Sequence, residues 1–457
     1  MTTASSALNA AVLSRVVQAE AERDANRLVF VFENGPLAAE PVTAGQLAVR
    51  SNQLAAQLRG AGLRRGDPVA IMLRNNPEFV YGLVATARLG LPTVPIDPRA
   101  RGESLSHRLR FAGCAGLITA DYVVADEEVA AVIRASRVRT WVVSTPEGRA
   151  MGLDPSRGWP LVNGALSGPD APTIGEQVTE LTEPWLLVYT SGTAGDPDAI
   201  EVGHDRMLLY RRVPELFGYR PDDVPYTGLS LTHPNALIAT MMPAVWGLVD
   251  HTVLSRWFTR SRLWDVCIEH GVTTWSNLGE LATAVYSEPS SDRDRAHSVR
   301  LVVSAGMPRE IWRPFEERFG VKLLEWYGTI EGGLACNPAG VGPVGSFGKP
   351  PEGLLEMDVV DRNGRPVPAG QVGELVLRPV GGQARLTYWR NPEASARRVR
   401  NGWLLTGDMV ARDADGWLYF AHRRDRDGLR RLVDPISASA GWEEDSEVAD
   451  AQVYGIP

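Results

Sequence analysis

Lysine is almost absent from this sequence of 457 residues. Its 47 lysine and arginine residues include only Lys322 and Lys349, so arginine carries nearly all of the positive charge. A GC-rich genome explains this bias most simply. The bias nevertheless has a chemical consequence, because any mechanism that requires a lysine has two candidate residues in the sequence.

Cysteine is scarce as well, and long apolar runs are missing. Cys114, Cys267 and Cys336 lie far apart, with no CxxC pattern and no neighbouring histidine pair, which disfavours a disulfide framework and a zinc site. We expect them to be small core residues in a reducing cytoplasm. The longest apolar stretch, residues 236–249, is too short to span a bilayer and predicts a buried helix. The N-terminal residues lack the apolar segment of a signal peptide and predict an amphipathic surface helix.

An excess of positive charge is also missing. The net charge is -8, which disfavours a nucleic-acid partner, because such binding depends on neutralising phosphates. The sequence therefore predicts a cytoplasmic protein with neither a nucleic-acid nor a membrane partner.

Helix and strand patterns alternate through most of the chain. Residues 43–58 predict a helix with Thr43 as its N-cap, residues 66–74 a turn and a buried strand, and residues 77–89 a further helix. This alternation is typical of a parallel sheet covered by helices. From about residue 340, short strands separated by Gly, Pro and Asn turns predict a small barrel or distorted sheet.

The stretch VYTSGTAGDPDAIEVGH, residues 188–204, is typical of an anion-binding loop. Glycines permit close backbone approach, and successive N–H groups and hydroxyls can form a concave anion site. Such a loop usually ends in lysine, whereas this one carries Asp196 and Asp198. Its spacing also differs from GxxxxGK[ST]. Most loops rich in Ser, Thr and Gly are simple turns, so the loop alone is weak evidence.

Seven segments, in the same order, resemble the adenylate-forming superfamily of acyl-CoA synthetases, peptide-synthetase adenylation domains and luciferases. The resemblance covers residues 28 to 423. It implies an α/β fold: a large N-terminal domain with two parallel-type sheets flanked by helices, plus a small β-barrel subdomain. The segments are 66–99, YTSGTAGDPDAIEVGH (189–204), VSAGMP (303–308), WYGTIEGG (326–333), GELVLRP (373–379), TYWRNPEA (387–394) and GWLLTGDMVARDADGWLYFAHR (402–423).

The resemblance assigns the contacts to ATP. Tyr327, followed by Gly328, would stack on adenine beside the Gly306 backbone; the alternative is a core tyrosine at a strand end. Asp408 would accept hydrogen bonds from both ribose hydroxyls. Arg423 would contact the ribose or a phosphate. The loop residues that would hold the phosphates are Thr190, Ser191, Gly192, Thr193 and Gly195.

The resemblance also implies a reaction. Glu331 would bind Mg²⁺ that bridges the phosphates, and Glu331, Thr193 and Arg423 are the predicted catalytic residues. An acid oxygen would attack the α-phosphate of ATP and pyrophosphate would leave. Such transfers depend mostly on positioning and charge stabilisation.

The acid would bind at LSLTHPNALIAT, residues 229–240, which resembles the start of the family's acyl pocket. His233 occupies its usual His or aromatic position. Asn235 has two equally weighted interpretations: it binds a ring substituent of a small aromatic acid, or it caps the helix that follows. Asn277 and Gly332 are predicted to line the same cavity.

The phosphate loop and the motif around Glu331 depart from the family pattern. Ala194 and Asp198 replace a threonine and the lysine of the loop, and we expect Asp198 to face solvent. Ile330 replaces the hydroxyl residue before Glu331, and strand alternation points the neighbouring Thr329 the other way.

The C-terminal part departs further. The hinge pattern within residues 422–457 is followed loosely, with Asp427 as the hinge candidate. The sequence ends where the family's C-terminal domain, with its catalytic lysine, would begin. We therefore expect a large AMP-binding domain in residues 1–421, and in residues 422–457 the hinge and the beginning of a truncated C-terminal domain.

Three functions remain open. The first is an AMP-forming ligase that converts a small, aromatic or aliphatic, acid to an acyl-AMP; CoA is one candidate acceptor that no residue supports. The second is a diazotase of the same superfamily that activates nitrite for an aryl amine, to which the missing lysine points. The third is a non-catalytic nucleotide-binding homologue, against which Glu331, Asp408 and Arg423 argue. A homodimer is left open.

Overall fold

Two large helix-covered sheets and one smaller antiparallel sheet form the structure. The computed structural model describes residues 4–154, 158–162, 174–189 and 198–424. The predicted α/β class, with two mainly parallel sheets and a small β subdomain, is confirmed. The predicted boundary between residues 421 and 422 stays a prediction, and Asp427 lies outside the described residues.

The first sheet has eight strands in the order β14-β13-β12-β11-β9-β10-β1-β2. Strands from β13 to β1 pair in parallel, whereas β14 and β2 pair antiparallel at the two edges. The strands are β1 (Leu28–Asn34), β2 (Leu37–Thr43), β9 (Pro225–Thr227), β10 (Thr252–Ser255), β11 (Thr274–Leu278), β12 (Leu301–Ala305), β13 (Lys322–Gly328) and β14 (Leu334–Cys336).

The second sheet has six strands in the order β6-β5-β3-β4-β7-β8, in which only the last pair is antiparallel. Its strands are β3 (Val69–Met72), β4 (Thr93–Pro95), β5 (Gly116–Ala120), β6 (Arg139–Val143), β7 (Pro184–Tyr189) and β8 (Ala199–Gly203). Because β7 and β8 pair Tyr189 with Ala199, the two ends of the anion-binding loop are fixed side by side.

The third sheet is antiparallel and contains the strands predicted after residue 340. β18 pairs with three neighbours and places Asp408 beside Arg423. Its strands are β15 (Leu355–Val360), β16 (Val372–Pro379), β17 (Val399–Arg400), β18 (Trp403–Arg412) and β19 (Leu418–Arg423).

Helices cover both large sheets. Thr43 caps α3 as predicted, in a capping box in which the Thr43 hydroxyl accepts from Gln46 N and the Gln46 side chain accepts from Thr43 N. The helices are α1 (Ala4–Ala11), α2 (Leu13–Arg23), α3 (Ala44–Gly60), α4 (Pro77–Leu89), α5 (Gly102–Ala112), α6 (Asp121–Val124), α7 (Glu127–Ser136), α8 (Pro146–Ala150), α9 (Arg206–Tyr210), α10 (Val213–Leu216), α11 (Met242–Val245), α12 (Leu263–Glu269), α13 (Gly279–Ser287), α14 (Arg309–Phe319) and α15 (Pro392–Arg398). Short 3₁₀ turns occupy Arg260–Arg262 and Asp292–Arg295.

The apolar stretch at residues 236–249 is buried as predicted, but its form differs from the expected α-helix. Ala236–Met241 is a π-helix, which continues into α11. π-helices are rare and occur frequently at functional sites. This one packs against β9, β10 and β11 beside the carboxyl ends of the parallel strands.

The cysteines fit their predicted role. All three are free; Cys114 and Cys267 are buried and Cys336 is half-buried. Among the described residues, no helix is long and apolar enough to cross a membrane.

Candidate active site

Five residues from four elements meet near the carboxyl ends of the first sheet: Tyr327, Glu331, Arg398, Asp408 and Arg423. We call them the charged cluster. β13 supplies the tyrosine, the turn after it the glutamate, α15 one arginine, and the pair β18–β19 the aspartate and the second arginine. The cluster therefore depends on contact between the first and third sheets.

Asp408 is the most strongly bonded member of the charged cluster. Its Oδ2 accepts a hydrogen bond of 2.6 Å from the Tyr327 hydroxyl, and its Oδ1 lies 3.7 Å from Arg423 Nε. Burial raises the pKa of the Asp408 carboxyl, although Arg423 opposes that shift. Burial and the neighbouring Asp408 raise the pKa of Tyr327. The Tyr327 hydroxyl therefore keeps its proton near neutral pH.

Arg423 keeps accessible surface while it is surrounded by protein. About half of its side chain is exposed (53%). Burial alone would lower its pKa, but Asp408 and Glu331 raise it above the usual arginine value. A charged group that is close to two carboxylates and still accessible can meet a polyanion that enters from solvent.

Glu331 is buried and held at two points. Its Oε1 lies 3.3 Å from Arg398 Nη2, and its backbone carbonyl accepts a 2.6 Å hydrogen bond from Arg206 Nη2. Gly332, which follows, has φ +126°, and a Cβ there would overlap the Arg206 guanidinium. Glycine at position 332 therefore lets Arg206 hold the turn that carries Glu331.

Arg398 joins this turn to the third sheet. Its Nη2 also donates to the Thr406 carbonyl at 2.8 Å. The same helix, α15, begins at Asn391, whose side chain caps it by accepting from Ala394 N. Asn391 Nδ2 donates to Asp198 Oδ1 at 3.1 Å. One helix thus connects the base of the anion-binding loop to Glu331.

Asp198 is half-buried and hydrogen-bonded to Asn391, so the expectation that it faces solvent is wrong. The physical reason is local. Trp389 N donates a hydrogen bond to the Ala199 carbonyl at 2.7 Å, and this bond holds the segment before α15 against the neighbouring Asp198. The acid at the family's lysine position therefore fixes a contact within the protein.

Gly306 lies in the turn after β12, and a buried carboxylate holds that turn. Glu325 Oε1 accepts from Gly306 N at 2.5 Å, and both its oxygens accept from Met307 N at 3.2 and 3.1 Å. Burial raises the pKa of Glu325 to about 8, in spite of these bonds. The Gly306 carbonyl presses against Gly279, where a Cβ would overlap it.

The predicted acid-binding residues lie at the start of the π-helix. His233 keeps exposed surface, while desolvation of its imidazole by the neighbouring protein lowers its pKa to about 4. Its Nδ1 accepts from Asn235 N at 3.2 Å. The imidazole is therefore neutral at pH 7 and offers a polar, uncharged wall.

Asn235 does not cap the following helix. It already has helical backbone angles and makes no side-chain cap bond. Its amide is buried, accepting from Ser276 Oγ at 2.7 Å and donating to the Asn277 carbonyl at 3.4 Å. The capping interpretation is wrong because the chain enters the π-helix before Asn235; its role in acid binding stays a prediction.

Asn277 faces away from Asn235. Side chains alternate along β11, so Asn277 lies on the face of Trp275 and opposite Ser276. Its Oδ1 accepts from Ser304 Oγ at 3.2 Å, while its Nδ2 is buried without a hydrogen-bond partner among the described residues. The role of Asn277 in acid binding stays a prediction.

A sequence profile of AMP-binding enzymes matches residues 17–389. The chain belongs to the AMP-binding enzyme family. The predicted adenylate-forming superfamily is thereby confirmed.

Several relatives of this AMP-binding enzyme are known. Human "Long-chain fatty acid transport protein 5" is 32% identical over 84% of this chain, which spans 59% of that protein's length. "Medium/long-chain-fatty-acid--CoA ligase FadD6" of Mycobacterium tuberculosis is 29% identical over 98% of this chain and 75% of its own. The chain thus spans less than two thirds of the first of these curated relatives.

Solved structures share the fold. The anthranilate CoA ligase AuaEII, in complex with anthranoyl-AMP, superposes with a TM-score of 0.81 at 24% identity, covering 97% of this chain and 84% of that one. A benzoate CoA ligase from Burkholderia xenovorans LB400 gives 0.78 at 20% identity, covering 97% and 86%. At these identities the likeness establishes the fold alone.

The structure brings Tyr327, Glu331, Asp408 and Arg423 together, as the motifs of an AMP-binding enzyme predict. The neighbouring Gly328 is exposed at the end of β13. The phosphate-loop residues lie outside the described residues, so their roles stay predictions. They are Thr190, Ser191, Gly192, Thr193 and Gly195.

Sequence reasoning missed three further residues of the site: Arg206, Glu325 and Arg398. Arg206 follows the loop motif by two positions, and Arg398 lies between two recognised segments. No sequence pattern at Arg206 or Arg398 indicates a role in the site, which becomes evident only when the fold places both arginines beside Glu331.

A Mg²⁺ ion would need ligands beyond the protein. Among the described residues, no group of three His, Cys, Asp or Glu side chains could hold a metal. The Glu331 carboxylate is a hard oxygen ligand of the kind that Mg²⁺ uses, together with phosphates and water. One carboxylate beside a phosphate site fits that pattern.

Proposed function

We propose that this AMP-binding enzyme activates a small carboxylic acid with ATP, forming an acyl-AMP and releasing pyrophosphate. The observation that carries the proposal is the charged cluster. Glu331 lies 3.3 Å from Arg398 and Asp408 lies 3.7 Å from Arg423, so two carboxylate–guanidinium pairs stand near the carboxyl ends of parallel strands. Ligands of open α/β sheets bind at this edge.

Asp408 is the proposed ribose acceptor. Its carboxylate accepts a hydrogen bond from the Tyr327 hydroxyl at 2.6 Å, and this bond fixes the orientation of the carboxylate before a ligand binds. A carboxylate has lone pairs for two ribose hydroxyls as well. The Tyr327 ring would stack on adenine, next to the turn that Glu325 holds.

The polyphosphate would meet the loop at residues 190–195 and the guanidinium of Arg423. Glu331 would hold the Mg²⁺ that neutralises charge on the phosphates. Arg398, which lies 3.3 Å from Glu331 Oε1, keeps the carboxylate oriented. Preorganised charges of this kind stabilise phosphoryl transfer without a general base.

The acid would bind beside His233. Its imidazole is neutral because its pKa is lowered to about 4. An uncharged wall does not draw the acid's negative charge away from the guanidinium groups of the charged cluster. The acid's carboxylate would therefore be directed by the charged cluster, and its apolar end by the layer under the π-helix.

The test is nucleotide product analysis. The protein is incubated with Mg·ATP and a panel of aromatic and aliphatic carboxylic acids, with a parallel set of nitrite plus an aryl amine. We expect AMP and pyrophosphate with at least one carboxylic acid and none without acid.

Two results would overturn the proposal. AMP that forms only with nitrite and the amine would move the protein to the diazotase branch. ATP binding in calorimetry without AMP in either set would identify a nucleotide-binding homologue. Arg211→Gln, an exposed change outside the cluster, serves as the matched control for each activity.

A further inference from the structure

An aromatic layer closes one face of the first sheet directly behind the proposed acid site. Alternate residues of β12 and β13 point to the same face, where Val303 and Trp326 meet Phe217 and the π-helix. The Phe217 and Trp326 rings lie 5.3 Å apart, and the Phe217 and Tyr219 rings 6.1 Å. We call Phe217, Tyr219 and Trp326 the aromatic lock.

The lock is anchored on both sides. The Tyr219 hydroxyl donates to the Ala239 carbonyl of the π-helix at 2.9 Å. The Trp326 ring extends over Gly328, where a Cβ would overlap it. The lock therefore bridges the sheet and the π-helix, whose first turn follows the acid-binding segment.

Accessibility falls sharply along this layer. Ala305 and Ile238, at the end next to the charged cluster, keep accessible surface. Val303 and Ala239, one step deeper, are 0% exposed, and Phe217 is 1% exposed. The accessible surface at the nucleotide end therefore ends at the lock.

A separate cavity lies beyond the lock. It has a volume of about 220 Å³, is open to solvent on one side, and is lined by Leu216, Phe217, Leu301 and Pro338 together with the charged Glu215 and Arg300. Leu301 begins β12 and Ala305 ends it, which separates the two ends by roughly 13 Å at about 3.3 Å per residue. Phe217 lines this cavity and also contacts Trp326, so the lock stands between the cavity and the acid site.

We propose that Phe217 and Trp326 set the length of the acid that this enzyme accepts. The site takes compact acids, with one ring or a short chain, and the lock excludes long acyl chains from the cavity behind it. This inference rests on the proposed adenylation. It assigns specificity to two residues that belong to none of the recognised nucleotide-binding contacts.

The physical basis is packing. A long chain would have to displace two buried aromatic side chains, and interiors are too densely packed to yield that volume without cost. Replacing either ring by leucine removes part of the barrier while it keeps the layer apolar. The acid site and the cavity would then join.

The experiment uses two non-hydrolysable acyl-AMP analogues, benzoyl- and dodecanoyl-sulfamoyl adenosine, which need no catalysis to bind. Calorimetry gives the ratio of their dissociation constants for the native protein, Trp326→Leu and Phe217→Leu. The matched control is Trp312→Leu, since Trp312 is equally buried but packs on the opposite face of the sheet. AMP formation from benzoate and dodecanoate is measured alongside.

We expect the native protein to bind the benzoyl analogue at least about tenfold more tightly than the dodecanoyl one, in the range that one mismatched pocket contact produces. Trp326→Leu or Phe217→Leu should move that ratio at least about tenfold toward dodecanoyl. Trp312→Leu should leave it unchanged.

Equal binding of both analogues by the native protein overturns the inference, and so does an unchanged ratio in both lock variants. If one variant does not fold, the other and the native ratio still decide. Selective binding without AMP formation from either acid contradicts the proposed function and leaves the lock standing. No binding of either analogue overturns both.

Discussion

The charged cluster and the aromatic lock are neighbours on one sheet, yet their chemistry is opposite. In the cluster, Glu331 pairs with Arg398 and Asp408 pairs with Arg423, and Arg423 stays accessible. In the lock, three rings are packed and sealed. The contrast indicates that the protein recognises the nucleotide through charged side chains that lie within sequence motifs. It would recognise the acid through the shape of a site formed by residues that are far apart in the sequence.

The strongest test of this contrast is to remove the charge at Glu331. Glu331→Gln keeps the shape and the contact with Arg398 but removes the negative charge proposed for Mg²⁺. We expect kcat for AMP formation to fall on the order of 100-fold or more, as for the loss of one preorganised charge contact. The fold should survive, because Arg398 still donates to the Thr406 carbonyl.

Stopped-flow pyrophosphate release and circular dichroism measure the two effects. Glu393→Gln, an exposed carboxylate at the start of α15, is the matched control. Undiminished turnover in Glu331→Gln would remove this residue from the mechanism.

The next effect is at the ribose contact. Asp408→Ala should weaken ATP binding by about 1.5–3 kcal/mol per lost charged hydrogen bond, which is roughly 10- to 150-fold in Kd. Tyr327→Phe separates the roles of the two residues, because it removes the hydroxyl that donates a hydrogen bond to Asp408 and keeps the aromatic ring. We expect Tyr327→Phe to leave the Kd within about threefold of the native value, since a hydrogen bond is exchanged rather than lost.

Calorimetry with ATP and with AMP measures both variants. An unchanged Kd in Asp408→Ala would show that the ribose binds elsewhere. A loss in Tyr327→Phe as large as in Asp408→Ala would show that the hydroxyl, and not the carboxylate, makes the contact.

The smallest effect concerns stability and pH. The pKa of Glu325 is raised from an ordinary 4.5 to about 8, so between these pH values the folded protein holds a proton that the unfolded chain has lost. The folded state therefore loses stability as pH rises through this window, by at most about 1.4 kcal/mol per pH unit. Glu325→Gln removes this loss.

Urea unfolding at pH 6 and pH 8 compares the native protein with Glu325→Gln, so that other titrating groups cancel. We expect Glu325→Gln to gain stability relative to the native protein at pH 8. Parallel pH dependence in the two proteins would show that Glu325 is ionised across the range. Because Gln can still accept from Gly306 N, the turn itself should persist.

The same contrast explains what the sequence could predict. Tyr327, Glu331, Asp408 and Arg423 lie within short motifs, where local chain geometry fixes each role, and the structure assembles them. The alternation of helices and strands likewise determines the two sheets. Arg398 reaches Glu331 from 67 residues away, a contact that no local pattern encodes.

The errors and the open assignments have equally local causes. Asn235 has the composition of a cap, but the π-helix makes it an interior residue. Asn277 could be assigned to a face only after β11 and its neighbours were placed in register. The lock combines residues 217 and 326, whose partnership depends on how α10 lies on the sheet.

Gly279 is not itself a proposed ligand contact, but its missing Cβ leaves room for the carbonyl of Gly306. In laboratory evolution toward new acids, we expect many substitutions at the aromatic lock to be tolerated. A change in the size of one apolar side chain there can be compensated by a neighbouring apolar side chain. Position 279 would return as glycine in every functional clone. A deep mutational scan would therefore find that position 279 tolerates no substitution, although no reaction takes place there. That intolerance would mark the position of the turn that is proposed to contact the nucleotide.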